Sequence, residues 1–192
     1  MRIKTITVAL LMCTGLLVQA QHTISYSLLN HSWAFPLSKI VRVTGPVSPG
    51  FTIGTEFEHK QWKKNTFIQS IQLGGFINKS TGAGYFILTD LGLKHDFKRV
   101  QSEFSTGLGW MNSYTASEVW ERGDEGFQRA ENQSASGMLM SFSLGLRYPI
   151  TAAVVNQVVP FVLYQWIAST PYFDVIPIRP QGLLHIGTIV HF

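Results

Sequence analysis

Apolar side chains recur at every second residue along most of this 192-residue chain. In residues 138–147 one parity is apolar and the other is polar or small: Met138, Met140, Phe142, Leu144 and Leu146 against Ser141, Ser143, Gly145 and Arg147. The same alternation occurs in residues 51–58, 67–77, 85–94 and 103–110. A period of two over about ten residues predicts β-strands with one apolar face. We therefore expect an all-β fold.

The face opposite the apolar one is rich in glycine and serine and carries only isolated charges. Charged residues make up 14% of the chain, against about 25% in an average soluble domain. A soluble β-sandwich would carry lysine, glutamate and threonine freely on its water-facing side. A narrow barrel interior instead needs small residues that leave room for a few large ones. The pattern favours a transmembrane antiparallel up-and-down β-barrel whose apolar face meets lipid; a periplasmic lipocalin-like barrel is the alternative.

The connections between the predicted strands alternate in length. Residues 63–65, 95–99 and 149–156 form brief connections, and residues 78–83, 111–135 and 169–180 form the others, two of which are long. Outer-membrane barrels have short periplasmic turns and longer outer loops. A last strand at 181–192 then ends in the periplasm, and counting back requires one strand before 50–62, for which 22–35 is the candidate. The sequence thus predicts about eight strands with both termini periplasmic.

The first twenty residues have the pattern of a secretory signal peptide. Arg2 and Lys4 precede an apolar stretch at 6–18, and Val18 and Ala20 supply small side chains for cleavage after Ala20. We expect residues 21–192 to form the exported barrel.

Removal of this segment changes the charge and cysteine content of the chain. The remainder has 13 basic and 11 acidic residues, a net charge of +2, and lacks Cys13, the only cysteine. A cysteine-free chain has neither a disulfide framework nor a cysteine-based metal cluster. The small net charge does not predict nucleic-acid binding.

The chain ends in an alternating apolar strand closed by an aromatic residue: Leu184, Ile186, Thr188, Val190 and Phe192. This ending resembles the signal by which bacterial outer-membrane barrels are recognised by the barrel-assembly machinery, and Phe192 holds its terminal position. Residues 49–57, 69–74, 164–166 and 185–188 resemble an uncharacterised group of small outer-membrane barrels found in Bacteroidota. The resemblance implies an eight-stranded barrel and no particular activity.

Seven ionisable side chains fall on the predicted inner face of the barrel: Glu56, Glu58, Asp90, Lys94, Glu103, Arg147 and His185. Paired carboxylates could perform acid–base chemistry. Because buried charges must be partnered, we expect instead an ion-pair network that fills the lumen. His185 and His191 on one strand would lie about 20 Å apart, too far to share a metal ion. The sequence therefore predicts no metal and no cofactor.

The connection at 111–135 concentrates charged and aromatic residues: Glu118, Trp120, Glu121, Arg122, Asp124, Glu125 and Phe127. Loops carry function more often than the scaffold that positions them. A contact of this outer loop with a divalent cation or lipopolysaccharide is one interpretation, and a solvated loop or one that binds a partner protein is equally consistent with the pattern.

These features predict a small, non-enzymatic barrel of the bacterial outer membrane with a plugged lumen and a structural or surface-interaction role. Its expected partners are outer-membrane lipids, lipopolysaccharide and the barrel-assembly machinery. One alternative is a lipid A-modifying enzyme, a deacylase or acyltransferase. The deacylase family places a serine two residues after its histidine, whereas Gly187 holds that position after His185 here, so the deacylase motif is absent from the sequence. The other alternative is a narrow conduit or hydrophobic-ligand carrier.

Overall fold

The computed structural model describes residues 23–32, 48–79, 82–114, 116, 120–123, 126–129, 134–150, 157–170 and 178–192. No helix in these ranges is long and apolar enough to cross a membrane. The described part of the chain contains ten strands: β1 Thr23–Ser32, β2 Pro49–Trp62, β3 Asn65–Asn78, β4 Gly82–Phe97, β5 Val100–Tyr114, β6 Trp120–Gly123, β7 Gly126–Arg129, β8 Ser134–Arg147, β9 Gln157–Thr170 and β10 Arg179–His191.

Eight of these strands close into an antiparallel barrel in the order β1-β10-β9-β8-β5-β4-β3-β2. Each strand pairs with its neighbour along the chain, and β1 pairs with β10 to complete the ring. Strands β6 and β7 form a separate hairpin in the connection between β5 and β8. The predicted closed eight-stranded all-β barrel is confirmed.

Several predicted boundaries are wrong by a few residues. Barrel strands take up both ends of the predicted loop at 111–135, since Tyr114 pairs with Ser134, and the loop contains the hairpin β6–β7. The predicted turns at 63–65 and 95–99 shrink to two residues each. The strands are longer than predicted because backbone hydrogen bonds between strands continue into residues whose side chains no longer alternate between apolar and polar. The first strand ends at Ser32, and residues 33–35 of the predicted strand lie outside the described residues.

The wall of the barrel separates side chains by parity. On β4, Phe86, Leu88, Asp90 and Lys94 are buried inside, whereas the intervening Ile87 and Leu91 are about half exposed on the outside. Large apolar side chains cover the outside of all eight strands, among them Leu28, Phe51, Leu73, Trp110, Leu144, Val162 and Ile186. The molecule therefore has an apolar exterior, the reverse of a water-soluble domain.

The interior changes in character along the barrel axis. We call the end with the two-residue turns Lys63–Lys64 and Lys98–Arg99 the turn end, and the opposite end the loop end. Buried apolar side chains from seven strands meet in the half nearer the loop end: Leu29, Phe76, Phe86, Leu88, Met111, Leu139, Ile167 and Leu183. The buried side chains Glu56, Lys94, Glu103 and Arg147 lie nearer the turn end, whereas Arg179, His31 and Gln181 are buried nearer the loop end. The predicted polar inner face is therefore interrupted by this apolar cluster in the half nearer the loop end.

Both tight turns place a lysine in a left-handed backbone conformation. The φ angles are 49° at Lys63 and 59° at Lys98, and these are the two non-glycine residues with positive φ in the described ranges. At Lys98 the amide of Arg99 donates to the carbonyl of Phe97 over 2.6 Å, which closes a strained γ-turn. A non-glycine residue in such a conformation costs about 1–3 kcal/mol.

The ladders of the barrel differ in length. Strand β1, the shortest barrel strand, pairs with β2 only over residues 24–30, and with β10 over residues 23–32. The β4–β5 ladder, by contrast, includes every residue of 83–97 on β4.

Candidate functional site

A layer of charged side chains crosses the barrel interior near the turn end. Glu56 on β2, Lys94 on β4, Glu103 on β5 and Arg147 on β8 are each less than a tenth exposed. The register brings them to one level because Lys94 pairs with Glu103, and Gln101, two residues before Glu103, pairs with Arg147. We call these four residues and the half-exposed Glu58 the charged layer.

Arg147 is the centre of the charged layer. Its Nη1 and Nη2 atoms lie 3.0 and 2.5 Å from the two carboxylate oxygens of Glu56. Its Nε and Nη2 lie 2.6 and 2.5 Å from Glu103 Oε2. Such paired contacts use the fixed fork of the guanidinium group, which matches the geometry of a carboxylate. Arg147 thereby ties β2 to β5 across the lumen.

Lys94 provides the second cation of the charged layer. Its Nζ atom donates to Glu56 Oε1 over 3.0 Å and forms a further ion pair with Glu58. Three carboxylates thus face two cations, and the layer carries a formal charge of −1. Because the desolvation of each buried ion is costly, every member must keep its partner. The arrangement can hold the barrel wall together.

Asp90 and His185, which the sequence places in the same network, lie outside the charged layer and have neutral partners. Asp90 accepts hydrogen bonds from Ser141 Oγ and, over 3.2 Å, from Gln72 Nε2. His185 Nδ1 lies 3.0 Å from Ser27 Oγ. Asp90 and His185 lie further from the turn end than the charged layer does. Parity in the sequence shows that a residue is on the inner face but not how far along the barrel axis it lies.

The Ser27–His185 pair is the described contact that most resembles a nucleophile with a base. His185 is 1% exposed, faces the lumen, and its Nε2 atom has no hydrogen-bond partner among the described residues. The pair therefore lacks the third group that would orient a catalytic histidine.

His31 and Gln181 form a buried polar contact that the sequence interpretation missed. His31 Nε2 lies 2.8 Å from Gln181 Oε1, and the His31 ring stacks on Phe76 with centroids 3.9 Å apart. Both residues lie in the half of the barrel nearer the loop end. Extending the inward parity of Ser27 and Leu29 along β1 would have identified His31 as an interior residue.

Two cavities of about 330 and 230 Å³ open at the turn end. The first is lined by the charged side chains of Glu58, Lys94 and Arg147 together with uncharged residues, among them Gln101 and His191. A deeper cavity of about 30 Å³ touches Glu56, Glu103 and His185, enough space for about one water molecule. Within the described ranges, no group of three or more histidine, cysteine or acidic residues could hold a metal ion.

Four of the seven predicted loop residues lie in the described ranges, and three lie outside them. Trp120, Glu121, Arg122 and Phe127 lie on the hairpin β6–β7, where Arg122 pairs with Phe127 in the backbone register. Glu118, Asp124 and Glu125 lie outside the described residues. Phe192 follows the last residue of β10 and is 61% exposed at the turn end.

No protein-family model matches the sequence, and the search of curated proteins gives no match. Solved structures do match. The barrel is similar to Ail, the attachment invasion locus protein of Yersinia pestis, with a TM-score of 0.52 and 13% identity over 91% of this chain and 100% of that chain. It is also similar to Neisserial surface protein A (NspA), with a TM-score of 0.56 and 12% identity over 90% of this chain and 98% of that chain. The chain therefore has the closed eight-stranded fold of these outer-membrane barrels, while the resemblance to the Bacteroidota group stays a prediction.

Proposed function

We propose that this protein is a small outer-membrane barrel with a closed lumen and a non-enzymatic surface-interaction role at its loop end. The observation that carries the proposal is the inverted distribution of its side chains. Leu144 on the outside is 54% exposed, whereas Arg147, three residues further along the same strand, is 4% exposed inside. Such a surface is stable in lipid and would aggregate in water.

The height of the apolar belt fits a bilayer. Outward side chains on β4 run from Tyr85 to Phe97, twelve residues later. At about 3.3 Å per residue and a tilt of about 45°, this stretch spans about 28 Å along the axis, close to the ~25 Å apolar band of such barrels. Both ends of the stretch are aromatic, as expected at the two membrane interfaces.

The apolar cluster supports a closed lumen and argues against a conduit. Phe86, Leu139 and Leu183, each at most 1% exposed, reach into the barrel from β4, β8 and β10. Eight strands enclose just enough room for side chains to fill. A polar solute that entered at the turn end would meet the charged layer and then the apolar cluster.

Support for a surface-interaction role comes from the asymmetry of the connections. The described turns between β2 and β3 and between β4 and β5 have two residues each, whereas the connection between β5 and β8 spans 115–133 and carries the hairpin β6–β7. A hairpin held above a rigid barrel is a suitable platform for recognition.

Cysteine labelling on intact cells tests the location and orientation together. Because Cys13 precedes the predicted cleavage site, single cysteines can be introduced at Ala116 near the loop end and at Gln61 near the turn end, both exposed positions. A membrane-impermeant maleimide should label Ala116→Cys on intact cells and Gln61→Cys only after the outer membrane is permeabilised. Equal labelling of both sites on intact cells, or recovery in the soluble periplasmic fraction, would refute the proposal.

Two further measurements separate the alternatives. A lipid A mass shift on expression, lost in His185→Ala, would favour the modifying enzyme. Ion conductance of the purified protein in planar bilayers would favour the conduit. We expect neither signal, and we expect the unboiled protein to migrate faster than the boiled protein on a gel, as folded barrels do.

A further inference from the structure

The two tight turns at the turn end share an unusual composition. Each consists of a lysine with positive φ followed by a second basic residue: Lys63–Lys64 and Lys98–Arg99. Glycine is the residue that adopts positive φ without steric cost, and it is preferred at the first position of such two-residue hairpin loops. Glycine would relieve the backbone strain of both turns. The presence of lysine instead indicates that the lysine side chains have a role of their own.

The two turns lie side by side. Their hairpins are joined through the β3–β4 ladder, in which Asn65 pairs with His95, and the amide of Asp96 donates to the carbonyl of Lys64 over 2.8 Å. Lys60, on the strand that leads into the first turn, extends the same basic surface. We call Lys60, Lys63, Lys64, Lys98 and Arg99 the basic rim.

The basic rim is exposed and unbalanced in charge. All five side chains are exposed, and none forms an ion pair with another residue in the described ranges. Of the nearby acids, the half-exposed Glu58 is paired with Lys94, which leaves Asp96 to balance the basic rim. Five cations thus face solvent with one carboxylate beside them.

Exposed aromatic residues place the basic rim at the edge of the apolar belt. Trp62 and Phe97 flank the two turns and are 45% and 59% exposed. Lys60 Nζ lies 5.2 Å from the centre of the Trp62 ring, a cation–π distance. Aromatic rings at the end of an apolar belt mark the level of lipid headgroups, and basic side chains at that level face phosphates.

We propose that the basic rim binds the phosphate groups of anionic phospholipids in the leaflet at the turn end. The proposal rests on the membrane-spanning role argued above and adds a lipid class and a leaflet to it. Arg99 can engage one phosphate with two parallel hydrogen bonds, and the lysines act as point charges around it. The lysines in the strained turns project their charge at the tips of the hairpins, where a glycine would carry none.

Fluorescence quenching at Trp62 tests the proposal on the full chain reconstituted into vesicles. The vesicles contain either brominated phosphatidylglycerol or brominated phosphatidylcholine, and subtraction of the Trp62→Phe signal isolates the reporter. We expect stronger quenching by phosphatidylglycerol in the wild type. Because each basic residue near an anionic surface contributes about fivefold to binding, Lys63→Gln with Lys98→Gln should lower that preference by about tenfold or more. Lys79→Gln, an exposed lysine at the loop end, is the matched control and should leave the preference unchanged.

A second pair of substitutions separates charge from backbone strain. Lys63→Gly with Lys98→Gly should lose the same lipid preference as the glutamine variant and raise the urea midpoint, because glycine relieves the positive-φ strain. An unchanged preference in both double variants would overturn the proposal. Equal quenching of the wild type by the two lipids would also overturn it and would favour a soluble acidic partner. Absence of quenching by either lipid would instead refute the membrane-spanning role itself.

Discussion

The charged layer makes a quantitative prediction about stability. Replacing Arg147 by methionine removes both of its carboxylate contacts while keeping a side chain of comparable length. Glu56 and Glu103 would then remain in the interior, 4% and 8% exposed, with Lys94 as the only cation of the layer. Removing one partner of a buried ion pair typically costs about 3–5 kcal/mol, because the other charge stays buried without compensation.

The assay is urea-induced unfolding in phospholipid vesicles, followed by tryptophan fluorescence and by the mobility of the unboiled protein on a gel. At about 1.4 kcal/mol per factor of ten, Arg147→Met should reduce the ratio of folded to unfolded protein by two to nearly four orders of magnitude. Lys79→Met makes the same replacement on an exposed basic residue at the loop end, outside the basic rim, and should change the unfolding free energy by less than about 0.5 kcal/mol.

A second substitution tests the stated reason. In the Arg147→Met background Glu56 keeps its ion pair with Lys94, so Glu103→Gln removes the carboxylate that has lost its cation and should recover part of the lost stability. In the wild-type background the same change removes a partner of Arg147 and should destabilise. A double-mutant cycle with no coupling between positions 103 and 147, or a cost below about 1 kcal/mol for Arg147→Met, would refute the reasoning.

Three further predictions concern the wall, the core and the end of the barrel. Leu144→Arg places a charge on the lipid-facing side near the middle of β8 and should destabilise the barrel by about 2–4 kcal/mol in vesicle unfolding, whereas the same change at an outer loop should not. Phe86→Ala empties part of the apolar cluster and should cost about 3–5 kcal/mol by the same assay; a cost near zero would mean that the cluster is not packed. Deletion of Phe192, which is exposed and follows the last paired residue, should slow assembly in cells more than it lowers the urea midpoint, and normal insertion of the shortened chain would contradict the assembly role.

Parity, together with the alternating lengths of the connections, was enough to predict the closed barrel and its eight strands, and parity also assigned the charged residues to the inner face. It could not predict which of them meet. Glu56 and Arg147 are 91 residues apart, and their contact depends on closure of the barrel and on the relative stagger of its strands. Asp90 and Lys94 share one face of β4 but differ in level, so only Lys94 joins the charged layer.

The interior near the loop end was missed for a different reason. Phe86 and Leu88 have the same parity as Asp90, yet the sequence interpretation treated that face as polar throughout. Hydrophobicity distinguishes the two faces of a strand only where one face is polar. Where both faces are apolar, as at residues 85–88, the alternation disappears and the strand looks uniformly hydrophobic.

The short pairing between β1 and β2 has a consequence for how the ring comes apart. The β1–β2 ladder spans residues 24–30 of β1, whereas the β4–β5 ladder spans residues 83–97 of β4. Fewer backbone hydrogen bonds therefore hold β1 to β2 than hold β4 to β5. Transient unzipping should therefore begin between β1 and β2, with β1 remaining attached to β10. The amides of β2 that face β1 should exchange with deuterium before those of the longer ladders.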